Sequence, residues 1–140
     1  MSAENKKIAQ RIINEVWSDG NLAIVDEWYA ADFSHIDPLA PGANNIEMYR
    51  QYVQLLHNAF PDMQFEITEQ VAEGDKVAVR FQASGTHKGE MMGIPATGKE
   101  ASITGITTYH IVDGQVLNET SEWDALGLLQ QLGVIPQMAP

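Results

Sequence analysis

The chain has 140 residues, with Lys+Arg 8 against Asp+Glu 19, a formal net charge of -11 and no cysteine. That charge repels phosphate backbones and anionic membrane surfaces, which argues against nucleic acid or membrane as partner. The missing cysteines remove disulfides, thiol nucleophiles and thiolate metal sites. Ile8, Ile12, Ile13, Val16 and Trp17 recur at helical spacing and predict an amphipathic helix from about residue 4 to 17. Gly20 suits its exit, and a shorter helix follows with Leu22, Val25, Trp28 and Tyr29. Residues 33–42, FSHIDPLAPG, read as a short strand running into a loop. Asn44 and Glu47 have capping-box spacing for a third helix, whose stripe is Tyr49, Tyr52, Val53, Leu56 and Phe60 and which Pro61 ends.

Beyond Pro61 the period changes to two. Met63, Phe65 and Ile67 mark one strand, and Val77, Val79 and Phe81 mark the next after a turn at Glu73-Gly74-Asp75. Residues 88–99, KGEMMGIPATGK, read as a glycine-rich loop. A strand over 101–112 meets the hairpin signal Asp113-Gly114, and Val116 to Trp123 returns antiparallel to it. A terminal helix over Ala125 to Leu132 has Asp124 at its N-cap position. Three helices, an antiparallel meander and a final helix make one α+β domain over residues 1–140, in which a strongly curved sheet encloses a conical pocket.

Nucleotide-binding glycine motifs, HExxH, the calcium-loop pattern and GxSxG are all absent. His35, His57, His87 and His110 are scattered without metal-ligand spacing, so neither a metal nor a cofactor is expected. The polar, charged opening residues lack a signal-peptide core, and no run reaches the roughly 20 apolar residues of a spanning helix, so a cytoplasmic location is expected.

Residues 59–100, with Gly85, Thr86, His87, Gly89, Gly93, Pro95, Thr97, Gly98 and Lys99, together with TGITTYHIVDGQV and WDALGLLQQLG, resemble the SnoaL-like polyketide cyclases and ester cyclases of the nuclear-transport-factor-2-like superfamily. The resemblance implies a cone-shaped α+β fold with N-terminal helices packed on a strongly curved antiparallel sheet; a homodimer formed through that sheet is expected. In characterised members an aspartate just before the C-terminal helix is general acid/base in an intramolecular aldol closure. A histidine fourteen residues earlier assists it. Here those positions are Asp124 and His110. Asn118-Glu119-Thr120 departs from the family's Glu-x-Trp, with Glu119 one place off the usual carboxylate, which points to a different substrate preference or a lost reaction.

Alternation puts His110 with Thr104, Ile106 and Thr108, and Asp124 with Asn118, Thr120 and Glu122. If this face lines the pocket, it supplies hydroxyls, an amide and carboxylates. The opposite face carries Ile103, Tyr109 and Ile111, and alternation alone leaves the choice open. His35 beside Asp37, Arg80, His87, and the adjacent Met91 and Met92 are further pocket candidates, the methionines as a flap over an apolar ligand. The expected activity is cofactor-free acid/base chemistry on an apolar, carbonyl-bearing small molecule. Alternatives are a non-catalytic binder of an apolar metabolite, or an isomerase or epoxide hydrolase drawing on Arg80, Asn118 and Glu122.

Overall fold

The computed structural model describes residues 2–137. Helix α1 (Ser2–Arg11) continues into a π-helical segment, Ile12–Ser18, and is followed by α2 (Ala23–Trp28), β1 (Tyr29–Ile36) and α3 (Ile46–Ala59). Then come β2 (Gln64–Glu73), β3 (Lys76–Thr86), β4 (Glu100–Val112), β5 (Gln115–Trp123) and α4 (Ala125–Gln131). All five strands join one sheet in the order β1-β5-β4-β3-β2.

The α+β class stands, but the strongly curved, all-antiparallel cone does not. The sheet is open, with β1 and β2 as its two edges, and it is neither closed nor strongly curled. Tight curvature needs bulges or glycine kinks at corners. The central β3–β4 ladder instead runs from Lys76↔His110 to Thr86↔Glu100 without a break in register. The sheet is also mixed, because β1 pairs parallel to β5, with His35 opposite Glu119. Tyr29, expected at the end of a helix, opens that strand. Its side chain is buried, and the pairing that begins at Tyr29↔Val116 outweighs helical continuation.

Local signals elsewhere account for the element boundaries. Asn45, one residue after the expected cap, accepts a hydrogen bond from Met48 N–H at 2.9 Å and starts α3. Asp113 and Gly114 adopt φ of 51° and 77°, the left-handed pair that a type I′ hairpin turn requires. Asp124 caps α4 by accepting from Gly127 N–H. The 88–99 loop contains its own two-residue turn, in which Met91 and Ile94 exchange backbone hydrogen bonds.

Helices cover one face of the sheet. Ile12, Ile13, Val16 and Trp17 are all buried there, along with Tyr49 and Val53 of α3, against Val77, Val79, Tyr109, Ile111 and Val116 of the strands. The core therefore lies between the helices and one side of the sheet, and the pocket opens within that layer.

Candidate functional site

The pocket has a volume of about 90 Å³. Ile13 and Trp17 enter it from the π-helical segment, a rare geometry that tends to occur at functional sites. Tyr52 and Leu56 come from α3, and Met63, Phe65, Ala83, Ile103 and Leu128 add further carbon surface. Trp17 packs against Tyr49, Tyr52 and Phe65, with ring centroids 5.8–6.1 Å apart.

Against this apolar lining, one carboxylate stands out. Asp37 is 4% exposed and lies one residue past the end of β1. Its Oδ1 accepts from Leu39 N–H at 2.9 Å, while Oδ2 accepts from Tyr52 O–H and from Trp123 Nε1–H, each at 3.1 Å. Burial, followed by the Asp37 charge, pushes the Tyr52 phenol well above its ordinary pKa, so its hydroxyl remains a donor. Nearby, Thr107 and Ser121 hydrogen-bond to each other at 3.0 Å across the β4–β5 pair, and both line the pocket.

Beside the pocket lies a second polar group. Glu119 is fully buried; its Oε1 accepts from Tyr49 O–H at 3.0 Å and Tyr29 O–H at 3.3 Å. Its Oε2 lies 3.7 Å from His35 Nε2, and among the described residues neither atom has a hydrogen-bond partner. His35 Nδ1 lies 2.6 Å from Ala43 carbonyl oxygen, which can only accept, so Nδ1 carries the hydrogen. Burial pushes Glu119 up to about 8 despite the two tyrosine bonds, and burial likewise lowers His35 against the pull of Ala43 and Asp37. Both directions favour a neutral pair over an ion pair.

The residues singled out by sequence divide between two faces. Alternation puts the polar residues Thr104, Thr108, His110, Asn118, Thr120 and Glu122, with Ile106 among them, on the side away from the helices. Tyr109, Thr107, Glu119, Ser121 and Trp123 take the helix side. Asp124 is exposed, and its carboxylate accepts from Gly127 N–H at 2.8 Å. Any Cβ at Gly127 would come within 2.2 Å of that carboxylate, so the glycine is what admits the cap.

His110 Nε2 lies 2.7 Å from Asp75 Oδ2, a bond that holds the Asp75 carboxyl below its usual range. His110 and Asp124 are not brought together: His110 pairs with Asn118, and Asp124 follows the Gly105↔Trp123 pair. The fourteen-residue spacing that spans this hairpin face to face is Thr107 with Ser121. Arg80, Glu122 and Asp124 instead edge an open groove with Thr104 and Ile106.

Of the remaining candidates, His35 and Met91 line the pocket, and Met91 is 3% exposed. Met92, at φ 54°, points outward and is 53% exposed. His87 is buried and holds the 88–99 loop: Thr97 N–H donates to its Nδ1 at 3.2 Å, and its ring stacks on Phe60, a pocket residue. Sequence reasoning missed Asp37, Tyr52, Trp123 and Glu119 as site residues. The available signal was parity: Glu119, Ser121 and Trp123 share one face of β5, and a carboxylate there has to be buried if Trp123 is. Among the described residues, no group of three or more His, Asp or Glu could hold a metal ion, and no helix is long and apolar enough to cross a membrane.

The pattern of the SnoaL-like polyketide cyclase family matches residues 7–132. The aklanonic acid methyl ester cyclase DnrD of Streptomyces peucetius is 32% identical over 111 residues, covering 74% of this chain and 77% of its own. Among solved structures, AclR of Streptomyces galilaeus, provisionally described as a hydroxylase, superposes with a TM-score of 0.86 at 27% identity, covering 97% of this chain and 100% of its own. A protein of Acidithiobacillus ferrooxidans, provisionally described as a polyketide cyclase, gives a TM-score of 0.84 at 32% identity, with 95% and 96% covered.

Proposed function

The chain belongs to the SnoaL-like polyketide cyclase family, and from that premise we propose that it performs cofactor-free acid/base chemistry on an apolar, carbonyl-bearing small molecule, with Asp37 as the proton-transfer group. The observation that carries this reading is the placement of Asp37: a buried carboxylate in a pocket lined mainly by carbon, held by a phenol and an indole N–H. The reaction class is intramolecular aldol closure. Asp37 takes a proton from a carbon flanked by carbonyls, and the resulting enolate attacks a second carbonyl of the same molecule. The new alkoxide then receives the proton from Asp37, so atoms and charge balance and the enzyme returns unchanged.

Tyr52 and Trp123 suit this cycle. Their hydrogens point at Asp37 while it is anionic, and they can follow the negative charge when it moves to a substrate oxygen. Trp17, Phe65 and Leu56 fold the substrate for closure, and an already acidic carbon asks for little beyond orientation. The methyl ester in DnrD's name supports a polycarbonyl ester as the substrate class. The carbon lining favours a second reading too, a non-catalytic binder of an apolar metabolite.

Solvent-deuterium uptake into a panel of β-dicarbonyl and polycyclic ester carbon acids separates these readings. Protein-dependent exchange should fall at least tenfold in Asp37→Asn and stay at the wild-type rate in Asp124→Asn. The reverse result would move the proton transfer to the residue that the family pattern marks. Compounds that bind while exchange runs at the uncatalysed rate would establish the binding protein.

A further inference from the structure

Glu119 has no role in the cycle above, yet it is the most deeply buried carboxyl group of the fold, 0% exposed at the middle of β5. An isolated buried carboxylate is expensive, so such groups are paired, bonded or neutral. The groups that face it come from three elements. β1 supplies Tyr29 and His35, with Asp37 just beyond; α3 supplies Tyr49, with Tyr52 further along; β4 supplies Tyr109, the cross-strand partner of Glu119. These neighbours are phenols, one imidazole and one further carboxylate.

A count of hydrogens leaves one place to fill. Tyr49 O–H donates to Glu119 Oε1 at 3.0 Å, and Tyr29 O–H donates to the same oxygen at 3.3 Å. At the other end of the chain, Nδ1–H of His35 donates to Ala43 carbonyl oxygen. Between these ends lie Glu119 Oε2 and His35 Nε2, 3.7 Å apart and both without a hydrogen-bond partner among the described residues. If both groups had lost the intervening proton, two lone pairs would face each other out of reach of water. We propose that a single proton lies between these two atoms, resting on Glu119 Oε2 and facing the lone pair of His35 Nε2, and that Glu119 is thereby a positioning residue for His35 and the end of β1.

The register gives this contact its leverage. His35 lies opposite Glu119 in the parallel β1–β5 pair, and Asp37 follows two residues later on the same face. The His35 ring is 4.9 Å from the Tyr49 ring and 5.7 Å from the Tyr52 ring, so fixing it fixes two neighbours of the pocket carboxylate. The location of the proton stands apart from any catalysis; only its bearing on Asp37 rests on the function proposed above.

A protonated Glu119 has a thermodynamic signature. Its folded pKa of about 8 is above the ordinary Glu value of about 4.3, so the folded state holds a proton that the unfolded chain gives up across that interval. Stability therefore falls as pH rises through the interval and levels off above it. His35 is shifted down, so its contribution has the opposite sign and acts below about pH 6.5. Between roughly pH 6.5 and 8, Glu119 weakens the folding constant by up to about tenfold per pH unit.

The test uses nitrogen NMR of His35 and thermal unfolding against pH, on the wild-type chain, Glu119→Gln and Glu119→Ala, with no substrate present. Wild type should show the neutral Nδ1–H tautomer at pH 7 and a melting midpoint that declines from pH 6.5 to 8. In Glu119→Gln the amide reproduces both halves of the carboxylic acid. That variant should keep the tautomer and lose the decline, whereas Glu119→Ala should lose the fixed tautomer. An imidazolium at pH 7 in the wild type, or a Glu119→Gln variant that retains the decline, would overturn the assignment. If Glu119→Gln fails to fold, the wild-type tautomer and its pH profile decide the matter by themselves.

Discussion

The two faces of the sheet carry polar residues in unequal number and with unequal consequence. The outward face of β4 and β5 holds Thr104, Thr108, His110, Asn118, Thr120 and Glu122, and Asp75 joins His110 there in an exposed contact. The inward face holds far fewer, chiefly Thr107, Glu119 and Ser121, each of them buried. Water screens the outward set, so its charges interact weakly. The inward groups are out of contact with water, where each unpaired lone pair is costly and each hydrogen bond is specific. For this molecule, richness in chemical side chains marks the solvent side, and scarcity marks the side on which the pocket opens.

The largest expected effect tests how firmly the inward network is built. Tyr49 is fully buried, packs edge-on to Trp17 and donates to Glu119. Tyr49→Ala should lower stability by about 3–5 kcal/mol, the range for removing a large buried aromatic. Tyr49→Phe keeps the ring and removes only the donor, leaving Glu119 Oε1 with Tyr29; it should cost about 1 kcal/mol in chemical denaturation. If the two variants cost the same, the hydroxyl rather than the ring carries the packing layer, and the inward face is more polar in its energetics than its composition implies.

A smaller effect is expected at the boundary between the faces. Asp124→Ala removes the side-chain acceptor for Gly127 N–H and should destabilise by ~1 kcal/mol, while Asp124→Asn, which retains an acceptor, should be close to neutral. A stability loss confined to Asp124→Ala, without any change in deuterium exchange, would identify the residue as a helix cap. A stable variant that has lost exchange would erase the distinction between the faces at this corner of the molecule.

Much of the fold was legible because local signals and tertiary packing agree. The Asp113-Gly114 turn, the Asp124 cap, the α3 stripe and the alternation of β3 to β5 were all readable from spacing. What was not legible depends on partners remote in sequence. β1 becomes an edge strand because β5, some eighty residues later, offers Val116 to Thr120 as parallel partners, and a meander reading has no place for that pairing. The openness of the sheet depends on where register breaks fall, which alternation does not reveal. The site follows from the same gap. Alternation divides β4 and β5 into two sets, but only the docking of the helices decides which set faces inward. Asp37 gains its significance from Tyr52 and Trp123, which reach it from α3 and the end of β5.

The smallest expected effect is also the sharpest test of the contrast between faces. His110 is partly exposed, and its side chain hydrogen-bonds to Asp75, itself about half exposed. The pair lies at the end of the sheet where β3 begins, since His110 is opposite Lys76, and Asp124 caps α4 beyond the far end of β5. His110→Gln keeps a donor for Asp75 and should leave both the melting midpoint and the deuterium-exchange rate unchanged. An exchange rate that fell in His110→Gln, with the midpoint unmoved, would mean that the outward face performs chemistry in the assembled protein. The polar row from His110 to Glu122 would then have to be covered, and so desolvated, by something packed against it, because an exposed imidazole paired to an exposed carboxylate has no means of distinguishing a transition state from water.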